Sequence, residues 1–377
     1  MKVSLVTDGI YPYVIGGMQK HSYYLAKYFA QQKVYVEVYH YVPSDREDMP
    51  VPFTQDELKF IQLIKIDYPN PEKFPGHYLY ERYQYSKAVT QALVKRDATD
   101  FIYAKGFSAW HLLRYRNKLR IKQSVGVNFH GYEMFQRWPD FATGMKLQIL
   151  KYPVYANMKR ANYLFSYGGK ISDLIKTKGF KNKIITIPTG IDANWLSIQS
   201  PAYDTQTIKF CFVGRFERRK GIEELNHVLS SLGDEFKFEF HFIGPIPEAF
   251  RFKDNRIQYH GPVYDQEQIQ TILQSIDILV CPSYSEGMPN VILEGMASGC
   301  AIIATDVGAV SEMVDSSNGF LIEGNIIEGL KNAFAFFFSL DSSELNEMKL
   351  NSIKKVKERF TWDKVIKETI LKIEECL

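Results

Sequence analysis

Little in this 377-residue chain suits a membrane span, a secreted scaffold or a metal centre. It contains no run of 18 apolar residues, so no stretch is long enough to cross a bilayer as a helix. The opening residues, Met1 to Asp8, read as a first strand that Asp8 ends. No small-residue cleavage site follows, as a secretory leader would need. The four cysteines, Cys211, Cys281, Cys300 and Cys376, lack metal-ligand spacing, and three stand in or beside apolar runs as reduced core thiols. No recognised nucleic-acid motif is present. A cytoplasmic protein without a metal, a resident cofactor or a nucleic-acid partner is expected.

Net charge is small but unevenly spread. Formal net charge is +3, yet residues 1–190 hold 28 Lys+Arg against 15 Asp+Glu, and residues 191–377 hold 18 against 28. A basic half of this kind should meet something anionic, such as a membrane surface or a phosphorylated acceptor. Arg114, Arg116, Lys118, Arg120 and Lys122 alternate with Tyr115, Leu119 and Ile121. Lys146, Lys151, Lys159 and Arg160 stand among Leu147, Ile149, Tyr152 and Tyr155. Both stretches read as an interfacial surface touching an anionic membrane from the cytoplasmic side.

With 45% hydrophobic residues the chain can build two cores. Strand-like apolar runs alternate with helical stretches in both halves, the pattern of two facing doubly wound parallel sheets with a cleft between them. Strands are predicted at Lys2–Thr7, Val34–Tyr41, Phe60–Ile66, Phe101–Ala104 and Ser124–Phe129, then from Ile208–Val213 onward in the second half. Residues 197–207, polar and Pro-containing, read as the hinge, and 68–85, crowded with Tyr and Pro, as an irregular segment near the cleft. These readings divide the chain into 1–196 and 197–360.

Four loops carry chemistry. The apolar run Ile276–Cys281 reads as a buried strand and is followed by Ser285-Glu286-Gly287-Met288-Pro289-Asn290, then a helix holding Glu294. Glu286 thus sits at the carboxyl end of a strand, where open α/β sheets bind ligands. Glu294 lies eight residues on, about 80° from whole turns, and so can face the same crevice. Two carboxylates that accept hydroxyl protons beside a helix N-terminus that attracts phosphate suggest a sugar nucleotide. In the basic turn Gly214 to Gly221, Arg215 and Lys220 can converge on a diphosphate. Gly16 and Gly17 open a strand-to-helix turn, and His130 directly follows a strand. No D-x-D tripeptide occurs to hold a divalent ion on the diphosphate, and the basic turn lacks the Walker spacing.

Together these stretches resemble the retaining glycosyltransferases of family 4, which have the GT-B fold. The resemblance rests on the E-x7-E run from Glu286 to Glu294, on Gly214-Arg215-Phe216-Glu217-Arg218-Arg219-Lys220-Gly221, on residues 183–192, and on Gly16-Gly17 and His130-Gly131. It implies two Rossmann-like domains, with the last helix (361–377) crossing back onto the first. It implies that Glu286 and His130 contact the donor sugar, that Glu294 binds ribose, and that Arg215 and Lys220 bind the diphosphate. Gly16 and Gly17 would pass close to the phosphates or acceptor, and the backbone of Gly287, Met288, Pro289 and Asn290 would hold sugar and phosphate. The implied activity moves a hexose-type sugar from a UDP- or GDP-sugar to a saccharide or lipid-linked acceptor in envelope polysaccharide synthesis. Thr189 stands where the family often has Asn, a local departure.

Two other readings share the architecture: a nucleotide-sugar epimerase and a non-catalytic nucleotide-sugar sensor. Diphosphate release that depends on an acceptor separates the first. The chemically competent side chain at every motif position argues against the second.

Overall fold

Strands rich in Val, Ile and Phe, buried on both faces, take parallel partners because helices cover each side of the sheet. A computed structural model describes residues 1–69, 74, 76–196 and 207–377. It contains two such sheets. The first joins β1 (Lys2–Val6), β2 (Tyr35–His40), β3 (Ile61–Lys65), β4 (Phe101–Lys105), β5 (Ser124–Asn128), β6 (Tyr163–Ser166) and β7 (Ile184–Thr186) in the order β3-β2-β1-β4-β5-β6-β7. The second joins β8 (Ile208–Val213), β9 (Phe238–Ile243), β10 (Ile257–Gly261), β11 (Ile278–Cys281), β12 (Ala301–Thr305) and β13 (Gly319–Ile322) in the order β10-β9-β8-β11-β12-β13. Every pairing is parallel among the described residues.

Strand order reverses between β1 and β4 in one sheet and between β8 and β11 in the other. At such a switch point neighbouring connections leave in opposite directions and open a crevice at the strands' carboxyl ends. The loops after β1, β8 and β11 hold Gly16-Gly17, Arg215 to Lys220 and Glu286 respectively. The two crevices face each other. Gln136 reaches the main chain of Glu286, Lys20 pairs with Glu294, and the backbone N–H of Gly169 donates to Glu312 across the gap.

The final helix, Trp362–Glu374, returns to the first sheet. Its Val365, Ile366 and Ile373 join the core formed by Val3, Leu5 and Phe29. Trp362 stacks on Tyr24 and Tyr28 of the helix Gly17–Gln31, with ring centres 5.8 and 5.9 Å apart. Beside it Ile191 forms a parallel bridge with Thr361. A side chain at Gly190 would collide with Trp362, so a glycine permits that approach.

One local expectation is corrected. Within 68–85, read as irregular, a helix runs from His77 to Leu93, and Tyr85, Val89 and Leu93 bury its inner face. Its Tyr-rich start hid the 3.6-residue period. All of the hinge reading, 197–207, except Thr207 lies outside the described residues, as do 70–73 and 75.

Candidate active site

The β11 strand ends at Cys281, and the chain turns through Pro282 and Gly287 before the helix Asn290–Ala297 begins. Pro289 occupies the cap position rather than the first helical turn, and Gly299 just past the end takes the left-handed conformation at φ 84°. This turn presents Glu286, buried, to the basic loop after β8. Its carboxylate lies 2.5 Å from Lys220 Nζ and 3.6 Å from the Arg219 guanidinium. Burial would raise its pKa, but Lys220 and Arg219 hold it below the usual carboxylate range. Gly221, at φ 71°, lets the basic loop press onto the end of β11; a Cβ there would meet the Pro282 carbonyl oxygen at 2.1 Å.

Arg215 is not part of this cluster. Its side chain is 72% exposed and pairs with Glu217 at 3.0 Å. Arg219, passed over in the sequence although it stands in the same basic run, is the guanidinium beside Glu286. Arg218 instead braces the loop through paired bonds to Glu224 and a stack on Tyr284.

Residues from the first sheet complete the surroundings. Gln136 donates to the carbonyls of Glu286 (2.6 Å) and Gly131, while its Oε1 accepts from the Glu286 N–H at 3.4 Å. One amide thus grips both sides of the Glu286 peptide from the opposite half. Gly287 packs against the backbone of His130 and Gly131, where a Cβ would fall 2.9 Å from the His130 oxygen. Glu133 faces Arg219, Glu286 and Lys220. Burial pushes its carboxyl up, and the charge of Glu286 adds to that. Two neighbouring carboxyls whose environments push them apart are a common acid–base arrangement. No spacing in the sequence joins Gln136 or Glu133 to residue 286, so only the fold reveals them.

His130 follows β5 with φ 59°, an uncommon conformation for a side chain of this size. Its proton is assigned from the hydrogen-bond network. The His130 backbone N–H donates to Asn128 Oδ1 at 2.7 Å, which turns the Asn128 amide nitrogen toward Tyr103 and Tyr167. The Tyr167 hydroxyl lies 2.7 Å from His130 Nδ1, and we assign the phenol as the donor in that bond. The proton of His130 therefore sits on Nε2, which is buried without a partner. Behind it lies Lys105, at 0% exposure, its Nζ 2.9 Å from His21 Nδ1. The His21 ring meets His130 edge-on at 5.4 Å. Burial, then Lys105, drives the His130 pKa well below the usual value, and burial alone does the same to Lys105. His130 is thus a neutral N–H donor with an unused hydrogen bond.

Glu294 faces elsewhere. Lys20 of the first half holds it at 2.6 Å, in a crevice of about 10 Å³ shared with His21, Thr189, Trp195 and Asn290. Glu286 does not line that crevice. The shared crevice expected from helical spacing is therefore replaced, in this arrangement, by two carboxylates each capped by a lysine. Met288 is buried, its sulfur accepting from the Thr189 N–H, and the Thr189 hydroxyl is buried without a partner. Gly16 lies extended at φ 168° at the cap of the first helix, and Gly17 beyond it borders open space. Behind the Glu286 loop a cavity of about 670 Å³, lined by Gln136, Lys170, Tyr284, Thr305 and Asp306, separates the halves. None of the residues predicted from sequence lines it.

Comparison with known proteins matches residues 15–195 to a model described as Glycosyltransferase Family 4 and residues 207–338 to one described as Glycosyl transferases group 1. The putative teichuronic acid biosynthesis glycosyltransferase TuaC of Bacillus subtilis is 36% identical over 122 residues, 32% of this chain and 31% of that protein. Sucrose-phosphate synthase of Thermosynechococcus elongatus shares the fold over 100% of this chain and 98% of its own, with a TM-score of 0.80 at 16% identity. HepE of Anabaena, solved in complex with UDP-glucose, does so over 100% of both chains, with a TM-score of 0.69 at 15% identity.

Proposed function

The chain belongs to glycosyltransferase family 4, with the GT-B fold, and from that membership we propose that it moves a hexose-type sugar from a UDP- or GDP-sugar to a saccharide or lipid-linked acceptor, with retention at the anomeric carbon. The observation that carries the reading is the E-x7-E loop at the switch point, its Glu286 facing two cations and its Gly287 packed against His130. TuaC is named for teichuronic acid biosynthesis, and HepE was solved with UDP-glucose, which supports a saccharide acceptor and a UDP-sugar donor.

When a nucleotide sugar enters, its hydroxyls replace Lys220 and Lys20 as partners of Glu286 and Glu294. The released cations, with Arg219 and the mobile-length side chain of Arg215, then neutralise the diphosphate. The bond from the anomeric carbon to the phosphate oxygen breaks while the acceptor oxygen bonds that carbon on the same face. The departing phosphate oxygen takes the acceptor proton. Negative charge gathers on the diphosphate as an oxocarbenium-like centre forms, so cations gathered there lower the barrier. The His130 Nε2–H supplies a neutral hydrogen bond to the sugar and adds no positive charge beside that centre.

Because lysine and arginine take the place of a metal on the diphosphate, transfer proceeds in excess chelator. A panel of nucleotide sugars, scored for diphosphate release with and without acceptor, tests the reading. Release that needs acceptor and survives chelation is expected, with product of retained configuration. Interconversion of the donor sugar without release would make the protein an epimerase, and a strict requirement for a divalent ion would overturn the assignment of the cations.

A further inference from the structure

A helix on the surface of a globular protein normally turns polar residues to water. The helix Phe141–Arg160 does not. Its inner face buries Val154 and Met158 in the core, while its outer face carries Phe141, Met145, Ile149 and Tyr152 at 79%, 54%, 65% and 84% exposure. At spacings of four, four and three these four form one stripe along the helix. Trp138 and Tyr155 extend it at either side, partly exposed. Large apolar side chains exposed side by side mark an interaction surface, and aromatic residues of this kind settle at the boundary between water and lipid.

The charges around the stripe decide what covers it. Residues 1–100 hold 12 Lys+Arg and 12 Asp+Glu, whereas residues 101–190 hold 16 Lys+Arg against 3 Asp+Glu. The positive excess of the first half therefore lies entirely in the segment that contains this helix. Lys146, Lys159 and Arg160 are exposed on the helix itself. Arg116 is not a free cation: its guanidinium binds the carbonyls of Ile121 and Gln123 and the Asn162 side chain. That clamp draws the loop carrying the exposed Lys118, Arg120 and Lys122 to the carboxyl end of the helix. A second copy of the chain would set these cations against their own kind, which disfavours self-association through this face. An anionic surface matches them.

We propose that this helix is the face by which the protein lies on an anionic lipid bilayer, the apolar stripe entering the boundary region and the cations resting on the headgroups. The orientation brings the catalytic cleft close to the lipid. The stripe begins at Phe141, five residues beyond Gln136, which grips the Glu286 peptide. Delivery of a lipid-linked acceptor along this route rests on the transfer reading above; the lipid contact itself does not.

The test uses the full chain with phosphatidylcholine vesicles and with the same vesicles containing phosphatidylglycerol. Sedimentation with the anionic vesicles at low salt is expected, reversed by raised salt, together with a blue shift of Trp138 emission. Changing Phe141, Ile149 and Tyr152 together to Ser should weaken partition at least tenfold at any salt. Changing Lys118, Arg120 and Lys122 to Ser, with Arg116 left in place, should weaken it by about fivefold per residue and flatten its salt dependence. Donor affinity should be unchanged in both variants, which shows that they fold. No vesicle binding at low salt, or full binding by the stripe variant, would overturn the proposal. So would concentration-dependent dimers that the stripe variant abolishes without any lipid effect. Lost lipid binding with full transfer to a soluble acceptor would leave the enzymatic reading standing.

Discussion

Single residues at the cleft are set by their neighbours' charges. Glu286 keeps its carboxylate below the usual range although burial opposes it. The sign follows: its link to Lys220 stabilises the fold above the unfolded carboxylate pKa and is lost as pH falls through the lower folded value. Replacing Glu294 by Ala should chiefly weaken nucleotide affinity, and replacing Glu286 chiefly kcat. Each removes a charge-assisted hydrogen bond worth about 1.5–3 kcal/mol. Titration calorimetry with the nucleotide, beside steady-state rates, separates the two, and unchanged values in both variants would dismiss their roles. Tyr167→Phe tests the proton assignment of His130. Without the phenol the ring is free to carry its proton on Nδ1, and kcat should fall about five- to tenfold, the worth of roughly 1 kcal/mol, with donor KM little changed. A Tyr167→Phe enzyme as fast as the parent would show that the network does not fix the tautomer.

Among the elements, strands were the most legible. Continuous apolar runs such as Phe210 to Val213 or Leu279 to Cys281 admit one reading, and their loops fall at the switch points as expected. The helix His77–Leu93 was missed because its Tyr-crowded start resembles a loop. The basic and aromatic residues of Phe141–Arg160 read as an interfacial surface, but the stripe itself stayed hidden, because apolar positions on both faces erase the period that marks one side. Glu286 and Lys220 were legible since each sits in a local motif. Gln136 and Glu133 owe their place to contacts between the halves, which local spacing does not encode; Arg219 stands in the legible basic run, and the folding of that loop turns it, rather than Arg215, toward Glu286. The closing helix Trp362–Glu374 should matter as core to the first sheet. Ile366→Ala removes a fully buried side chain there and should cost about 2–5 kcal/mol. A lower urea midpoint, with nucleotide affinity intact, is the expected outcome; an unchanged midpoint would deny the helix that role.

At the scale of the whole molecule, the chain crosses between its two sheets twice, and both crossings meet at one spot. Ile191 on the outward path hydrogen-bonds through its N–H to the Phe360 carbonyl, and its own carbonyl accepts from the Trp362 N–H on the return path. The second sheet is therefore a guest spliced into the first, with its two junctions side by side. A guest of that kind can be exchanged as a cassette, rejoined at neighbouring points without disturbing the host's core. If, as proposed, the second half binds the donor and the first the acceptor, such an exchange would change donor preference and leave acceptor preference as it was.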